Sequence, residues 1–153
     1  SVIKKICEIT TKLNKRLIIK LHPDPHELDI TDLVHETNES IEVIKKGNVQ
    51  DLLRKCELLI TIDVSTTILE AQILEKPTVS INVKDYSVDE DNCSVFTSQS
   101  CIRTKIDNLE NILGKILSDQ NFKNTLIQNG NKYVNDYMYN QGTASKCLSN
   151  ISL

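Results

Sequence analysis

Apolar residues recur at helical spacing from the start of the chain. Val2, Ile3, Ile6, Ile9 and Leu13 share one face while Lys4, Lys5, Glu8 and Lys12 share the other, which predicts a helix. The pattern then changes to Leu17-Ile18-Ile19-Lys20-Leu21, a nearly continuous apolar run. Its lack of alternation predicts a strand covered on both faces, as in a parallel sheet. His22-Pro23-Asp24-Pro25 ends that strand, because proline has no N–H to give a ladder. Residues 27–36 read equally as a short helix or an irregular loop. Ile41-Glu42-Val43-Ile44 predicts a second strand, broken at Gly47-Asn48, and Asn48 suits the N-cap of a helix from Val49 to Cys56. Leu58-Leu59-Ile60-Thr61-Ile62 is a third buried strand, passing through Asp63-Val64-Ser65 into a helix from Thr66 to Glu75. Pro77 to Asn82 makes a fourth. Strands alternate with helices over connections long enough to cross over, which predicts a doubly wound parallel sheet.

Beyond residue 83 the pattern is different. Residues 84–101 are polar and acidic (Asp85, Asp89, Glu90, Asp91), as expected of a surface loop, and only helices are predicted after them. Asp107 and Glu110 have capping-box spacing ahead of the apolar stripe Leu109, Ile112, Leu113 and Ile116. A second helix starts at Ser118 or Asp119 and ends near Gly130. A third covers Asn131 to Tyr139, and Thr143 to Ile151 forms a last short one. The expected fold class is therefore α/β: one domain over residues 1–153, a Rossmann-like parallel sheet with flanking helices and a helical C-terminal tail. An α/β domain of this type ordinarily opens on a strand. This chain opens on a helix, as expected of a fragment that lacks its first strand.

Composition narrows the function classes. A net charge of −3 provides no field for a polyanion, and six aromatic residues (four Tyr, two Phe, no Trp) make a poor base-stacking platform, so nucleic acid is not an expected partner. No apolar run approaches the roughly 18 residues that span a bilayer. The first residues lack a signal-peptide layout. The five cysteines, Cys7, Cys56, Cys93, Cys101 and Cys147, show no metal-ligand spacing and read as reduced thiols of a cytoplasmic protein. On that reading the sequons at Asn38, Asn92 and Asn150 are chance matches.

Two segments carry candidate chemistry. In Ile60-Thr61-Ile62-Asp63-Val64-Ser65-Thr66-Thr67-Ile68-Leu69-Glu70, a buried strand delivers three small hydroxyl residues to a helix start. Unpaired amides and the positive end of the helix dipole suit a phosphate there, and Ser65, Thr66 and Thr67 add hydroxyl donors. Glu70 lies one turn on, about 5.4 Å along the axis, a sensible distance from a phosphate to the ribose of the same nucleotide. The same residues also describe an ordinary capped helix with a first-turn acid. The second segment, Lys20-Leu21-His22-Pro23, ends a strand at the edge where open α/β sheets bind ligands. His22 can donate to a phosphate or carry a proton, and Lys20 can add charge, although a histidine before a proline also serves as a plain turn residue. His26 and His35 have weaker claims, and no metal site is expected. No Gly-rich phosphate loop is present: Gly47, Gly114, Gly130 and Gly142 all lie away from these segments.

In order and spacing, the strand-Lys20-Leu21-His22-Pro23 turn, the run Asp51 to Thr61, Ser65-Thr66-Thr67-Ile68-Leu69-Glu70-Ala71 and Glu75-Lys76-Pro77-Thr78-Val79 together resemble the donor domain of GT-B glycosyltransferases. The stretch is similar to the C-terminal half of UDP-N-acetylglucosamine 2-epimerases, of CDP-glycerol glycerophosphotransferases and of surface-polysaccharide transferases. The resemblance implies that His22, as the catalytic residue, and Lys20, Ser65, Thr66 and Thr67 hold the diphosphate of a nucleotide-sugar donor, and that Glu70 holds its ribose. It implies no obligatory cofactor or metal, and a glycan or polyol-phosphate acceptor bound by a further domain. The fragment alone would then be inactive. The sequence departs from these families in places: Ser65-Thr66 stands where the epimerases carry paired glycines, and Asp63-Val64-Ser65 where the glycerophosphotransferases carry Tyr-Ser-Ser. An epimerase domain and a non-catalytic α/β regulatory module are the alternatives to a transferase.

Overall fold

The computed structural model describes residues 1–83 and 91–139. The expected helix from Thr143 to Ile151 and the acidic residues 84–90 lie outside them. The fold is α/β, with parallel sheets flanked by helices and a helical C-terminal part. Among the described residues the strands pair as a two-stranded and a three-stranded parallel sheet, where the sequence pattern suggests one continuous sheet. The chain forms two compact units, residues 1–49 and residues 50–153.

In the first unit, helix α1 (Val2–Lys12) precedes strand β1 (Ile18–Lys20), helix α2 (Thr31–Thr37) and strand β2 (Glu42–Ile44). The two strands run parallel with Ile19 opposite Val43. Cys7, Val34 and Ile41 are buried at the centre, and Ile3, Leu17, Ile19, Ile30 and Val43 close over them. Helix α1 ends in a left-handed turn at Asn14 (φ 54°): Asn14 N donates to Thr11 O and Lys15 N to Thr10 O, the two bonds of a Schellman motif. That turn reverses the chain into β1. Of the two readings for residues 27–36, the helix is correct from Thr31. Its start is fixed by Asp29 Oδ1, which accepts from both Thr31 N (3.0 Å) and Thr31 Oγ1 (2.6 Å).

The second unit opens with α3 (Val49–Lys55), β3 (Leu59–Ile62), α4 (Thr67–Ile73) and β4 (Thr78–Ile81). A short helix α5 (Ser94–Thr97), strand β5 (Ile102–Thr104), a 3-10 turn at Ile106–Asn108, α6 (Leu109–Ser118) and α7 (Gln120–Tyr139) complete it. Strand order is β3-β4-β5, all parallel. Strand β4 is central and every one of its residues is buried. Val64, Ile68, Val95, Phe96 and Tyr133 pack together in an apolar cluster of this unit. Like α1, α4 ends in a Schellman motif, here at Glu75 (φ 58°).

Three sequence expectations change here. Strand β5 replaces part of the expected loop. Gly130 does not end a helix: α7 runs through it, because a Cβ at residue 130 would stand 3.3 Å from Gln72 Cγ on α4, and glycine permits that approach. Cys93 is disulfide-bonded, whereas Cys7, Cys56 and Cys101 are free thiols as expected. The α7 start is settled in favour of Asp119, whose Oδ1 accepts from Phe122 N at 3.1 Å. Among the described residues no helix is long and apolar enough to cross a membrane.

Candidate functional site

Within the second unit, chemistry-bearing residues gather at the C-terminal edge of the three-stranded sheet. Thr61, Ser80 and Arg103 stand in one register row across β3, β4 and β5. Beyond β3 the chain turns at Asp63, a non-glycine residue in the left-handed region (φ 56°). Its backbone N–H, its carbonyl and one carboxylate oxygen are all engaged. Its N–H donates to Ile81 O (2.9 Å), and its carbonyl accepts from Thr61 Oγ1 (3.1 Å) and Ser80 Oγ (2.7 Å). Its Oδ1 accepts from Val83 N at 3.3 Å and faces Arg103 Nη2 at 3.6 Å. A left-handed aspartate costs backbone energy, and these bonds hold it there.

Val64, buried in the core, follows the turn and anchors Ser65 at the head of α4. Ser65 Oγ accepts from Thr67 N at 3.2 Å, Ser65 O from Ile68 N at 3.1 Å, and Thr66 O from Leu69 N at 3.1 Å. Thr67 N–H is therefore already spent inside the turn. Ser65 keeps its own hydroxyl proton, which is available to an incoming oxygen. Thr66 is exposed, and Ser65, Thr67 and Glu70 are half-buried. Ile68 and Ala71, both fully buried, fix the inward face of α4, so Thr66, Thr67 and Glu70 fall together on its outward side. The four residues that sequence reasoning grouped around this turn do come together.

Lys20 and His22 belong to the first unit. Lys20 Nζ donates to Leu21 O (2.6 Å) and Lys45 O (3.0 Å), so the ammonium ties the ends of β1 and β2 together. His22 stands exposed in the turn that follows. His26 N–H donates to Asp24 Oδ1 at 2.9 Å. His35 Nε2 lies 3.1 Å from Ile41 O, which makes Nε2 the protonated nitrogen and His35 a structural residue. Among the described residues no group of three His, Cys, Asp or Glu side chains is arranged to hold a metal ion.

Sequence reasoning missed Arg103. Its side chain is only 10% exposed, and the guanidinium is engaged on several sides. Nη1 donates to Ser80 Oγ (2.8 Å), Nε donates to Asp91 Oδ1 (3.0 Å), and Phe96 lies under the guanidinium carbon at 4.9 Å. A three-residue strand with an arginine at its centre has no apolar pattern to announce it. Next to it, burial pushes the Cys101 thiol up to about 12, which makes it inert as a nucleophile.

The chain aligns with the crystal structure described as that of the glycotransferase of kitacinnamycin, with a TM-score of 0.64 and 14% sequence identity. The alignment covers 95% of this chain and 37% of that one, a likeness of fold to part of a longer protein. No curated protein matches the chain. Residues 6–99, which run from α1 to α5, match the LIC12162 family transferases, and the chain belongs to that family.

Proposed function

We propose that the chain is the donor-binding part of a glycosyltransferase of the GT-B type, acting in surface-polysaccharide synthesis, and that a nucleotide-sugar binds at the Asp63–Glu70 turn. The observation that carries this reading is the grouping of Thr66, Thr67 and Glu70 on the outward side of one helix, with Ser65 in the turn that starts it, at the C-terminal edge of a parallel sheet. Open α/β sheets bind ligands at that edge. Membership of a transferase family and the fold of a glycosyltransferase both support it.

On this reading the hydroxyls of Ser65, Thr66 and Thr67 donate to the diphosphate. As the glycosidic bond breaks, negative charge grows on the departing nucleoside diphosphate, and these donors stabilise it without forming a covalent bond. Glu70, one turn on, accepts from the two ribose hydroxyls. His22, which the family resemblance implicates as a diphosphate ligand and proton carrier, is in the other unit and is tested separately.

Calorimetric titration with UDP, CDP, CMP, GDP and ADP tests the reading. One nucleotide is expected to bind saturably. Glu70→Ala removes hydrogen bonds to a charged acceptor worth about 1.5–3 kcal/mol, so Kd should rise on the order of 10- to 100-fold. Ser65→Ala should weaken nucleoside diphosphates more than the monophosphate, and His22→Ala should weaken binding if the resemblance carries over. Nucleotide binding unchanged in both Glu70→Ala and Ser65→Ala would move the site off this turn. Failure of every nucleotide to bind would favour a non-catalytic module.

A further inference from the structure

The guanidinium of Arg103 reaches Asp63 by two routes. The direct one is the 3.6 Å approach of Nη2 to Asp63 Oδ1. The other is a relay: Nη1 donates to Ser80 Oγ at 2.8 Å, and Ser80 in turn donates its hydroxyl proton to the Asp63 carbonyl at 2.7 Å. One charge thus fixes both the side chain and the peptide of the left-handed residue that begins the turn. Hydrogen bonds of this kind strengthen one another when the first donor is charged. The side chains of the pair are 10% and 14% exposed, so bulk solvent screens the interaction poorly. The third arm, Nε to Asp91, balances the charge and leaves Nη1 and Nη2 aimed at β4 and β3. Thr61 supplies a second hydroxyl to the same carbonyl (3.1 Å) but carries no charge to enforce the geometry.

We propose that Arg103 is the positioning residue of the Asp63–Glu70 turn: it does not touch ligand, but sets the backbone at Asp63 from which Ser65, Thr66, Thr67 and Glu70 are presented. The consequence for ligand affinity rests on the nucleotide-site reading above. The consequence for the turn itself does not.

The experiment therefore has two arms. Amide hydrogen exchange of the ligand-free protein is measured in wild type, Arg103→Gln, and Arg103→Gln combined with Asp63→Asn. Ile116→Ala, a buried α6 position away from the turn, serves as a control for plain loss of stability. In Arg103→Gln the Asp63 carboxylate is left without its cation, and exchange at residues 64–69 is expected to speed up on the order of tenfold or more relative to β4. In the double variant the stranded carboxylate is gone but the charged relay through Ser80 is still missing, so protection should return only in part, whereas Ile116→Ala should show no selective effect on the turn. In the second arm the nucleotide Kd should follow the same order, weakened in Arg103→Gln and partly recovered in the double variant. Exchange that rises evenly through the second unit, as in Ile116→Ala, would reduce Arg103 to a stabilising residue and overturn the proposal. Protection recovered in the double variant without recovery of Kd would make Arg103 a ligand contact, which also overturns it. If no nucleotide binds wild type, the nucleotide reading fails, and the exchange arm still decides the role of Arg103.

Discussion

Two glycines in adjacent helices should respond in opposite directions to the same substitution. Gly114 lies in α6, and a Cβ built on it meets no atom within 4 Å. Replacing it by alanine recovers the helix propensity that glycine forgoes, about 0.8–1 kcal/mol, with nothing to offset the gain. Gly130 lies in α7, where the same Cβ would stand 3.3 Å from Gln72 Cγ and 3.6 Å from Gln72 Cβ. The sign at residue 130 therefore depends on whether Gln72 can yield. It is 2% exposed, and its Nε2 donates to Ser100 O (3.2 Å) and Ser100 Oγ (3.0 Å). Moving it strains two hydrogen bonds worth about 1 kcal/mol each, on top of an overpacking cost of roughly 1–3 kcal/mol.

The penalty exceeds the propensity gain, so Gly130→Ala should destabilise by about 1–3 kcal/mol while Gly114→Ala stabilises by about 1 kcal/mol. In a chain of this size each kcal/mol moves Tm by about 2–4 °C, so the two variants should lie on either side of wild type. Urea denaturation followed by far-UV circular dichroism measures both. Adding Gln72→Ala to Gly130→Ala removes the Cγ contact, and in that background the glycine replacement should become stabilising, a coupling of at least ~1 kcal/mol. A Gly130→Ala variant that gains as much as Gly114→Ala would refute the close contact between α4 and α7 as the reason for this glycine.

Two further measurements test other parts of the structure. Cys101 is 1% exposed, and burial raises its pKa from 9.0 to about 12, so between those values the folded state keeps a proton that the unfolded state releases. Stability therefore falls with rising pH by about 1.4 kcal/mol per unit in that window; Cys101→Val should flatten the alkaline side of a stability–pH curve, and an unchanged slope would show that the thiol is not buried. Lys20→Met should leave Leu21 O and Lys45 O without their donor and cost about 1–2 kcal/mol, read as a drop in Tm; loss of nucleotide affinity at constant Tm would instead return Lys20 to the ligand-binding role its position suggests.

How much of this was legible in the sequence follows from where the information lies. Strands β1 to β4 announce themselves as short runs rich in β-branched apolar residues, and β4 is buried along its whole length, Thr78 and Ser80 included. Strand β5 does not, since Ile102-Arg103-Thr104 is short and carries a charge at its centre. The start of α7 was readable because Asp119 acts locally, on an amide three residues away. Gly130 misled because its reason is tertiary: the residue it makes room for, Gln72, belongs to another helix. Strand pairing was likewise beyond reach, because periodicity says that a strand is buried but not which neighbour it pairs with.

The site divides along the same line. Ser65, Thr66, Thr67 and Glu70 were found from their spacing, because a helix start is a local object whose faces follow from the sequence. The roles of Lys20 and Arg103 are not local. Both are cations on parallel strands, but Lys20 ends β1 and is offered to a ligand by its position, whereas Arg103 sits at the centre of the short β5 and is passed over. Lys20 instead spends its ammonium on two main-chain carbonyls that project past the ends of β1 and β2. Arg103 spends its planar fork on Ser80, Asp63 and Asp91. The difference between them is one of chemistry. An ammonium is a point charge that satisfies whichever carbonyls are near, whereas a guanidinium directs separate N–H groups along fixed lines. Fixed lines are what a left-handed residue needs, since both its carboxylate and its carbonyl must be held at once. For that reason lysine in place of Arg103 would preserve the charge and still lose the relay through Ser80.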